Sequence, residues 1–483
     1  MTTESVRTSL FIGGSWRAPT SDSTLAVVSP VTEQTIGRVP AATTADVDAA
    51  VHAARLAFRG SGWRDLTPGE RATHLHRFAD ELEARSEDRA TTVTSENGMP
   101  IALARFAEGA APVQLLRYYA DLIEITPVEE RRVSRPLPGT TVVRKEPIGV
   151  VAAIAPWNFP AVLSMFKIAP ALAAGCTVVL KPSPETSLDS YVLAEAAEAA
   201  GLPAGVLNIV NGGADIGRHL VAHPGVDKVA FTGSTAAGRE IGRICGELIR
   251  PVTLELGGKS AALVLDDADP EQTVAGLATA SLLNTGQTCY MSTRILVPAG
   301  SYDSYLDAIT GMCADLTIGD PMDENTAIGP LASARHRDRV LAMIERGRAE
   351  GATITTGGGT PAGIDRGFFV APTVFGDVAN TAAIAREEVF GPVLTVLRYR
   401  DLDEAIALAN DSAYGLGGTV WTADTERGID VARRIETGSF GVNYFNLDWG
   451  SPFGGVKASG IGRELGPEGL AAYQHLKSIF LAA

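Results

Sequence analysis

Between residues 149 and 265, short apolar runs alternate with segments of helical periodicity, and no other feature of the sequence restricts the fold as strongly. The runs are rich in Val, Ile and Leu and lie at 149–155, 177–181, 205–210, 227–233 and 251–258. Helical patterns fill the intervals, near 161–173, 187–200, 213–222 and 235–246. Repeated β-α-β alternation is typical of a parallel sheet covered by helices on both faces. The sequence therefore predicts an α/β fold with a doubly wound sheet, which binds ligands at the carboxyl ends of its strands.

The segments on either side extend this prediction. Residues 8–18 have apolar runs around a Gly-Gly pair, which predicts a hairpin. Helical spacing predominates from 44 to about 121, interrupted by a turn at 97–100 (NGMP). A second α/β stretch runs from about 260 to 440. The chain is therefore expected to fold almost entirely into α/β layers.

Composition excludes several classes of function. The 483 residues are 45% hydrophobic and 20% charged, as in globular proteins with a large core. The net charge of -15 disfavours contact with nucleic-acid phosphates, so no nucleic-acid partner is expected. The longest apolar stretch, 148–157, is too short to span a bilayer, and the N-terminus lacks a signal-peptide pattern. We therefore expect no membrane partner and a cytoplasmic protein.

The cysteines and histidines suggest neither a disulfide framework nor a metal site. The four cysteines lie at least 24 residues apart, and there is no HExxH motif or histidine cluster. A reducing compartment fits this usage. Free cysteines are usually buried core residues, and that is the expected role of Cys176, Cys245 and Cys313. Cys289 differs because it ends the segment GQTC.

Six short segments, taken in order, are far more specific than any single motif. They are PWNFP at 156–160, FTGS at 231–234, LELGGK at 254–259, GQTC at 286–289, EEVFGP at 387–392 and PFGG at 452–455. In this order they resemble the NAD(P)-dependent aldehyde dehydrogenase superfamily, in its hydrolytic, non-CoA-acylating branch. The resemblance covers essentially the whole chain. It implies oxidation of an aldehyde to a carboxylic acid through a thioester.

The resemblance assigns a chemical role to five residues. The thiol of Cys289 attacks the aldehyde carbon to give a thiohemiacetal. The side-chain amide of Asn158 and the backbone N–H of the cysteine stabilise the oxyanion. Glu255 matches the general base that hydrolyses the thioester, and its flanking leucines favour a raised pKa. Lys167 and Glu464 match positions of a proton relay.

Each role has a simpler alternative that the sequence leaves open. Asn158 lies between two prolines and could be a structural turn residue. Glu255 could be an ion-pair partner at the edge of the sheet. Lys167 and Glu464 could be ordinary surface charges.

The same resemblance implies a nicotinamide cofactor. The strand-to-helix turn at 233–234 suits a pyrophosphate, because helix N-termini bind anions. Many members that use NAD carry Glu three residues after the ribose-binding lysine, whereas here Pro184 takes that position and Glu185 follows. NAD is therefore preferred and NADP is possible. The implied cofactor residues are Ile154, Trp157, Lys181, Gly233, Ser234, Gly238, Gly257, Glu388 and Phe390.

The positions that the resemblance places around the thiol are apolar or aromatic: Phe159, Leu163, Phe166, Tyr290, Trp449 and Phe453. No cation among them offers a partner for a carboxylate or phosphate. We therefore expect apolar aliphatic or aromatic aldehydes as substrates. The alternatives are a semialdehyde or CoA-acylating dehydrogenase, and a non-catalytic member of the same fold.

Strand-like segments at 139–147 and 476–482 belong to neither sheet, and we expect a projecting β arm. The family resemblance implies a homodimer or homotetramer built with it. The expected units are a cofactor-binding domain, a catalytic domain and an oligomerisation arm, at 1–127 with 148–257, at 258–458, and at 128–147 with 470–483.

Overall fold

The computed structural model describes residues 4–60, 62–135 and 137–482, so residues 1–3, 61, 136 and 483 of the expected units lie outside the described part. Across the described residues, no helix is both long and apolar enough to cross a bilayer. The α-helices are Thr44–Gly60 (α1), Pro68–Glu83 (α2), Ser86–Asn97 (α3), Ile101–Ala104 (α4), Ala111–Ile125 (α5), Pro160–Ala174 (α6), Asp189–Ala199 (α7), Ala214–Ala222 (α8), Thr235–Glu247 (α9), Pro270–Leu282 (α10), Tyr302–Ala314 (α11), Ala334–Ala349 (α12), Ala383–Arg386 (α13), Leu402–Asn410 (α14), Thr425–Arg434 (α15) and Gly466–Ala471 (α16).

The strands alternate with these helices over most of the chain. They are Ser5–Val6 (β1), Leu10–Ile12 (β2), Ser15–Arg17 (β3), Thr24–Val28 (β4), Thr35–Pro40 (β5), Glu129–Val133 (β6), Gly139–Pro147 (β7), Val150–Ile154 (β8), Thr177–Lys181 (β9), Leu207–Ile209 (β10), Lys228–Thr232 (β11), Val252–Glu255 (β12), Ala261–Val264 (β13), Arg294–Pro298 (β14), Thr353–Thr356 (β15), Thr373–Gly376 (β16), Val393–Tyr399 (β17), Tyr414–Gly415 (β18), Gly418–Trp421 (β19), Gly441–Val442 (β20), Val456–Lys457 (β21), Gly460–Ile461 (β22) and Gln474–Ala482 (β23).

The five predicted strands form the parallel core of the first sheet. Their spatial order is β12-β11-β8-β9-β10, flanked by the antiparallel β22 on one side and by the β2–β3 hairpin on the other. In chain order this is 3-2-1-4-5 read from β10, the doubly wound arrangement of dinucleotide-binding sheets. The predicted fold class and the hairpin are confirmed. The fifth strand ends at Glu255, three residues before the predicted end, and Leu256 to Gly258 leave the sheet.

Helices cover both faces of this sheet because its strands are apolar on both sides. Val151 and Ala153 pack with α6 and α7, whereas Val150 and Ala152 face α1, α8 and α9. At the start of α2, Thr67 is the N-cap and forms a reciprocal capping box with Glu70, and Pro68 is the first residue of the helix.

A second sheet lies in the C-terminal half. Its order is β15-β16-β17-β14-β13-β19-β20, parallel except for the antiparallel edge strand β15. Leu263 packs into the core on one face of this sheet, and Ala262 and Val264 pack into the core on the other. The second predicted α/β region is therefore also a layered sheet.

The two segments expected outside both sheets pair with each other. β23 runs antiparallel to β7 along its length, from Gln474 opposite Pro147 to Ala482 opposite Gly139, and β6 pairs on the other side of β7. Large apolar side chains on this small sheet face solvent: Val133 is 85% exposed and Phe480 is 80% exposed. Such exposure is unusual for a monomer and is typical of an interaction surface.

Candidate active site

A cleft of about 440 Å³ lies at the carboxyl ends of β8, β9, β11 and β12. After β8 the chain enters α6 on one face of the sheet, and after β11 it enters α9 on the other face. The two connections diverge and leave a crevice between neighbouring strands, where ligands of such sheets bind. The segments that follow the predicted strands therefore form its walls.

Asn158, Glu255 and Cys289, the three residues expected to carry the chemistry, all line this cleft. Asn158 follows β8, Glu255 ends β12, and Cys289 comes from the loop before β14 of the second sheet. The amide Nδ2 of Asn158 donates to the backbone carbonyl of Gln287, 2.9 Å away. Asn158 is therefore a turn residue whose side chain is also held beside the loop that carries Cys289.

A tight turn presents Cys289. The backbone is left-handed at Asn284 (φ 52°), Thr285 (φ 58°) and Gly286 (φ 73°). A Cβ on Gly286 would lie 2.2 Å from the carbonyl oxygen of Gly391, so only glycine fits there. Cys289 is partly exposed at the end of this turn, whereas the other three cysteines are buried.

The electrostatics around Cys289 keep its thiol protonated. Burial raises the pKa of the thiol, and the carboxyl groups of Glu388 and Glu255 raise it further. Attack by this sulfur therefore requires a nearby group that accepts the proton. Glu255 is a carboxyl group in the same cleft.

Glu255 is 3% exposed, and neither carboxylate oxygen has a hydrogen-bond partner among the described residues. β22 pairs outside β12, so Glu255 does not lie at an open sheet edge, and it forms no ion pair with a described residue. The alternative of an edge salt bridge is therefore wrong. Burial raises its pKa well above the usual value, and Glu464 raises it further, while Lys167 and Arg463 oppose the shift. Such a carboxyl group can exchange protons near neutral pH.

Lys167 and Glu464 form a buried ion pair. The Nζ–Oε1 distance is 2.9 Å, and the side chains are 0% and 1% exposed, so the alternative of ordinary surface charges is wrong. Nζ also donates to the hydroxyl of Thr232, 2.7 Å away, at the end of β11. Both residues lie behind the cleft wall, and both act electrostatically on Glu255.

Eight of the nine expected cofactor residues line the cleft: Ile154, Trp157, Lys181, Gly233, Ser234, Gly257, Glu388 and Phe390. The ninth, Gly238, lies one turn into α9 and does not line the cleft. A Cβ there would lie 2.4 Å from the side chain of Leu256, so glycine allows α9 to pack closely against Leu256. The Nζ of Lys181 donates to the carbonyls of Pro182 and Gly212, and burial lowers its pKa to about 8.

Glu388 lies against the backbone after β12. Its carboxylate accepts the N–H of Gly258 at 3.0 Å, and a Cβ on Gly257 would lie 2.3 Å from Oε2. Glycine at 257 therefore allows the carboxylate to approach. Burial raises the pKa of Glu388 to about 7. Arg339 supports this residue by donating to its backbone carbonyl, 3.1 Å away.

His336 and Arg339, both on α12, line the cleft and are absent from the sequence predictions. The ring of His336 lies 4.9 Å from Trp157, and Nε2 donates to the carbonyl of Phe390 at 2.7 Å. Burial lowers the pKa of His336 to about 4, so the ring is neutral. No local motif marks these residues, because only the fold brings α12 to the end of the first sheet.

The six expected substrate residues share one apolar cluster with Cys289, and none of them is among the residues that line the cleft. Phe159, Leu163, Phe166 and Phe453 are buried in one core cluster, and Cys289, Tyr290 and Trp449 pack against it. The ring of Phe166 lies 6.1 Å from Trp449 and 6.5 Å from Phe453. Phe445, stacked on Tyr290 at 4.7 Å, belongs to the same wall and is absent from the sequence predictions. Cys289 thus lines the cleft and also packs against an apolar wall.

We expect Lys167→Met to lower the free energy of unfolding by about 3–5 kcal/mol, because it leaves the Glu464 carboxylate buried without its partner. Lys477→Met is the matched control, since it breaks an exposed ion pair with Glu146 that contributes about 0–1 kcal/mol. Urea denaturation followed by tryptophan fluorescence measures both. Equal losses in the two variants would contradict the assignment of a buried pair.

Known proteins are similar to this chain in sequence and in structure. The sequence model of the aldehyde dehydrogenase family matches residues 16–479. Geranial dehydrogenase of Castellaniella defragrans is 56% identical over 472 residues, 98% of either chain. An aldehyde dehydrogenase of Mycobacterium tuberculosis, solved in complex with NAD+, is 44% identical and superposes with a TM-score of 0.97 over 99% of both chains.

A mutant of aldehyde dehydrogenase C of Pseudomonas syringae, solved with NAD+ and octanal, is similar as well. It is 39% identical, with a TM-score of 0.95 over 99% of this chain and 98% of that one. The family match spans the parallel strands of both sheets and most of the arm, and it includes all six motif segments. The chain therefore belongs to the aldehyde dehydrogenase family.

Proposed function

We propose that this protein oxidises apolar aldehydes to carboxylic acids with NAD as the hydride acceptor. The observation that carries the proposal is the meeting of Asn158, Glu255 and Cys289 at one cleft, beside an uncharged aromatic wall. Membership of the family and the likeness to geranial dehydrogenase support the same reaction.

In the first half of the reaction, the Cys289 sulfur bonds to the aldehyde carbon and its proton passes to Glu255. Electrons of the C=O double bond move to oxygen, where the Asn158 amide and the backbone N–H of Cys289 donate hydrogen bonds. The hydride leaves the same carbon, and a bound NAD would supply its acceptor. The carbonyl re-forms as a thioester on Cys289.

Between the halves, Glu255 releases the thiol proton to solvent and is again a carboxylate. In the second half, water attacks the thioester carbon and Glu255 takes a proton from that water. The carbon–sulfur bond breaks, the acid leaves, and the sulfur regains a proton. Because burial raises the pKa of Glu255, the carboxylate is a stronger proton acceptor than an exposed one, and it can accept a proton in each half and release it before the next. Lys167 and Glu464, behind Glu255, supply a polar path by which protons leave the closed site.

The cleft has the chemistry that a dinucleotide requires. The N-terminus of α9, capped by Ser234, offers backbone N–H groups to a pyrophosphate. Lys181 and Glu388 line the same cleft, and so do Trp157 and Phe390, whose rings pack edge to face at 5.4 Å. These residues offer a cation, a carboxylate and apolar rings to the sugar and nicotinamide groups of the cofactor. Gly238 then serves the cofactor through packing, by letting α9 approach Leu256.

The substrate class follows from the wall beside the thiol. None of the six expected substrate residues carries a charge, so a carboxylate or phosphate on the aldehyde would lack a partner there. Geranial and octanal, named with two similar proteins, are apolar aldehydes. A buried Glu255 favours hydrolysis over transfer to CoA, and the complete set of three reacting residues argues against a non-catalytic member.

The chain is best divided as the sequence suggests: a cofactor-binding unit at 1–127 and 148–257, a catalytic unit at 258–458, and an oligomerisation arm at 128–147 and 470–483. The exposed apolar side chains of the arm support a homodimer or homotetramer. A cytoplasmic location is supported by the four cysteines, all described and all unpaired, since the nucleophile must stay reduced.

Cys289→Ala should abolish NADH formation with hexanal or benzaldehyde, followed at 340 nm. Glu255→Gln should lose at least about 100-fold in steady-state rate and should slow the first turnover as well, because it removes the group that accepts a proton from the thiol and later from the attacking water. Glu247→Gln, an exposed carboxylate on α9, is the matched control and should keep the wild-type rate. Steady turnover in Cys289→Ala, or a higher kcat/KM for a short acidic semialdehyde, would overturn the proposal.

Glu185 should decide the preference for NAD, because it lines the cleft beside Lys181 and its charge repels a 2′-phosphate. The hydroxyl of Ser183 donates to its carboxylate at 2.5 Å and holds it there. We expect Glu185→Gln to reduce the ratio of the Kd values for NADP+ and NAD+ by about fivefold, roughly 1 kcal/mol. Fluorescence titration measures both constants. An unchanged ratio, as expected for the exposed control Glu271→Gln, would exclude this role.

Deleting residues 472–483 should lower the mass in solution, because it removes β23 and the apolar face of the arm. Phe480→Ser should act in the same direction, whereas Lys477→Ser should not, since only the first removes an exposed apolar side chain. Light scattering after size-exclusion chromatography gives the mass. The wild-type mass in the deletion variant would show that the arm does not assemble subunits.

A further inference from the structure

A closed ring of hydrogen bonds joins the Asn158 loop to the Cys289 loop. The amide of Asn158 donates to the carbonyl of Gln287 at 2.9 Å. The side-chain amide of Gln287 donates to the carbonyl of Asn284 at 3.2 Å. The amide of Asn284 donates back to the carbonyl of Asn158 at 2.9 Å. All three residues are nearly fully buried, at 4%, 1% and 3% exposure.

The ring determines how the amide of Asn158 is used. An asparagine amide has two N–H donors, and the Gln287 carbonyl takes one of them. That bond also fixes which amide atom is nitrogen, because the oxygen cannot donate to a carbonyl. The other N–H remains for a ligand, because Asn158 lines the cleft. An oxyanion donor must be held in place before the charge develops, and the ring does this.

The backbone of Asn158 is held as firmly as its side chain. Asn97, at the end of α3, donates through Nδ2 to the carbonyls of Trp157 (3.1 Å) and Asn158 (3.3 Å). The Oδ1 of Asn97 accepts the N–H of Met99 at 2.9 Å, which fixes its own orientation. The carbonyl of Asn158 thus receives two buried side-chain donors, from Asn97 and Asn284.

Asn284 also fits its position for a conformational reason. Its backbone is left-handed (φ 52°, ψ 45°), a region that asparagine tolerates better than most residues. Thr285 follows in the same region, where a β-branched residue is strained, and its hydroxyl is anchored to Gly329 at 3.1 and 3.3 Å. Strain of this kind persists where surrounding contacts fix the backbone, and here those contacts aim the turn that carries Cys289.

We propose that Asn284 is a positioning residue for the oxyanion donor: it fixes Asn158 against the Cys289 loop, and it acts on the reaction only through Asn158. The inference rests on the proposed oxidation and adds a residue to it. Asn284 makes no contact with the reacting atoms in this role. Its effect should therefore appear in the chemical step and disappear when Asn158 is absent.

A double-mutant cycle with Asn158→Ala tests the proposal. Asn284→Asp keeps the shape and the left-handed preference but places an acceptor against the Asn158 carbonyl. We expect it to lower kcat for hexanal oxidation by about 10- to 100-fold. In the Asn158→Ala background the same substitution should change kcat by less than about twofold. The Kd for NAD+ should stay within about twofold of the wild type in all variants.

Asn284→Gly provides a second variant, since glycine adopts the left-handed backbone without strain and only the amide is lost. Asn284→Gly should lower kcat as Asn284→Asp does, and it should leave kcat nearly unchanged in the Asn158→Ala background. Asn325→Asp, in an exposed loop, makes the same chemical change as a control and should leave kcat unchanged.

Three outcomes would overturn the proposal: an unchanged kcat in both Asn284 variants, equal losses with and without Asn158, or a weakened Kd for NAD+ that accounts for the loss. A wild-type kcat in Asn158→Ala would overturn it too, because there would be nothing to position. None of these results would remove aldehyde oxidation itself, which is tested separately by Cys289→Ala.

Discussion

The contact between the Asn158 loop and the Cys289 loop is the interaction on which the rest of the site depends. One loop follows a strand of the first sheet and the other precedes a strand of the second, so neither sheet alone contains the reaction chemistry. The hydrogen bond from Asn158 to Gln287 sets the separation of oxyanion donor and nucleophile. Because the amides are buried, each lost bond would leave an unsatisfied polar group, and this makes the arrangement rigid.

Buried charge is the second constraint, because it favours the protonated forms of the groups that we propose for the reaction. The carboxyl group of Glu255 and the thiol of Cys289 both have raised pKa values because burial disfavours their ionised forms. The positive charge of Lys167 lowers the pKa of Glu255, whereas the negative charge of Glu464 raises it. Glu464 also pairs with the lysine. The site thus balances two carboxyl groups against one ammonium group away from water. Proton transfer between thiol, carboxyl and water becomes possible near neutral pH as a result.

The sequence predicted the fold well where local signals agree with tertiary structure. The predicted runs at 149–155 and 177–181 became the strands Val150–Ile154 and Thr177–Lys181, since strands buried on both faces must be apolar throughout. The prediction failed at 256–258, where Leu256 and two glycines continue the apolar pattern but leave the sheet. The chain leaves the sheet at Gly257, where the carboxylate of Glu388, from a distant part of the chain, occupies the space that a side chain at position 257 would need. Such a requirement has no local signature.

The sequence by itself determined the doubly wound sheet and the family, and it nominated the residues that we propose for the reaction, because periodicity and ordered motifs are properties of the linear chain. Only the tertiary structure decided how those residues behave. From the sequence alone, Lys167 and Glu464 could equally be surface charges, but the fold buries them together as an ion pair. His336 and Asn284 carry no motif of their own, and they join the site because helix, turn and strand ends converge there. Burial and proximity are set by packing across long separations in the chain, and they decide charge state and orientation.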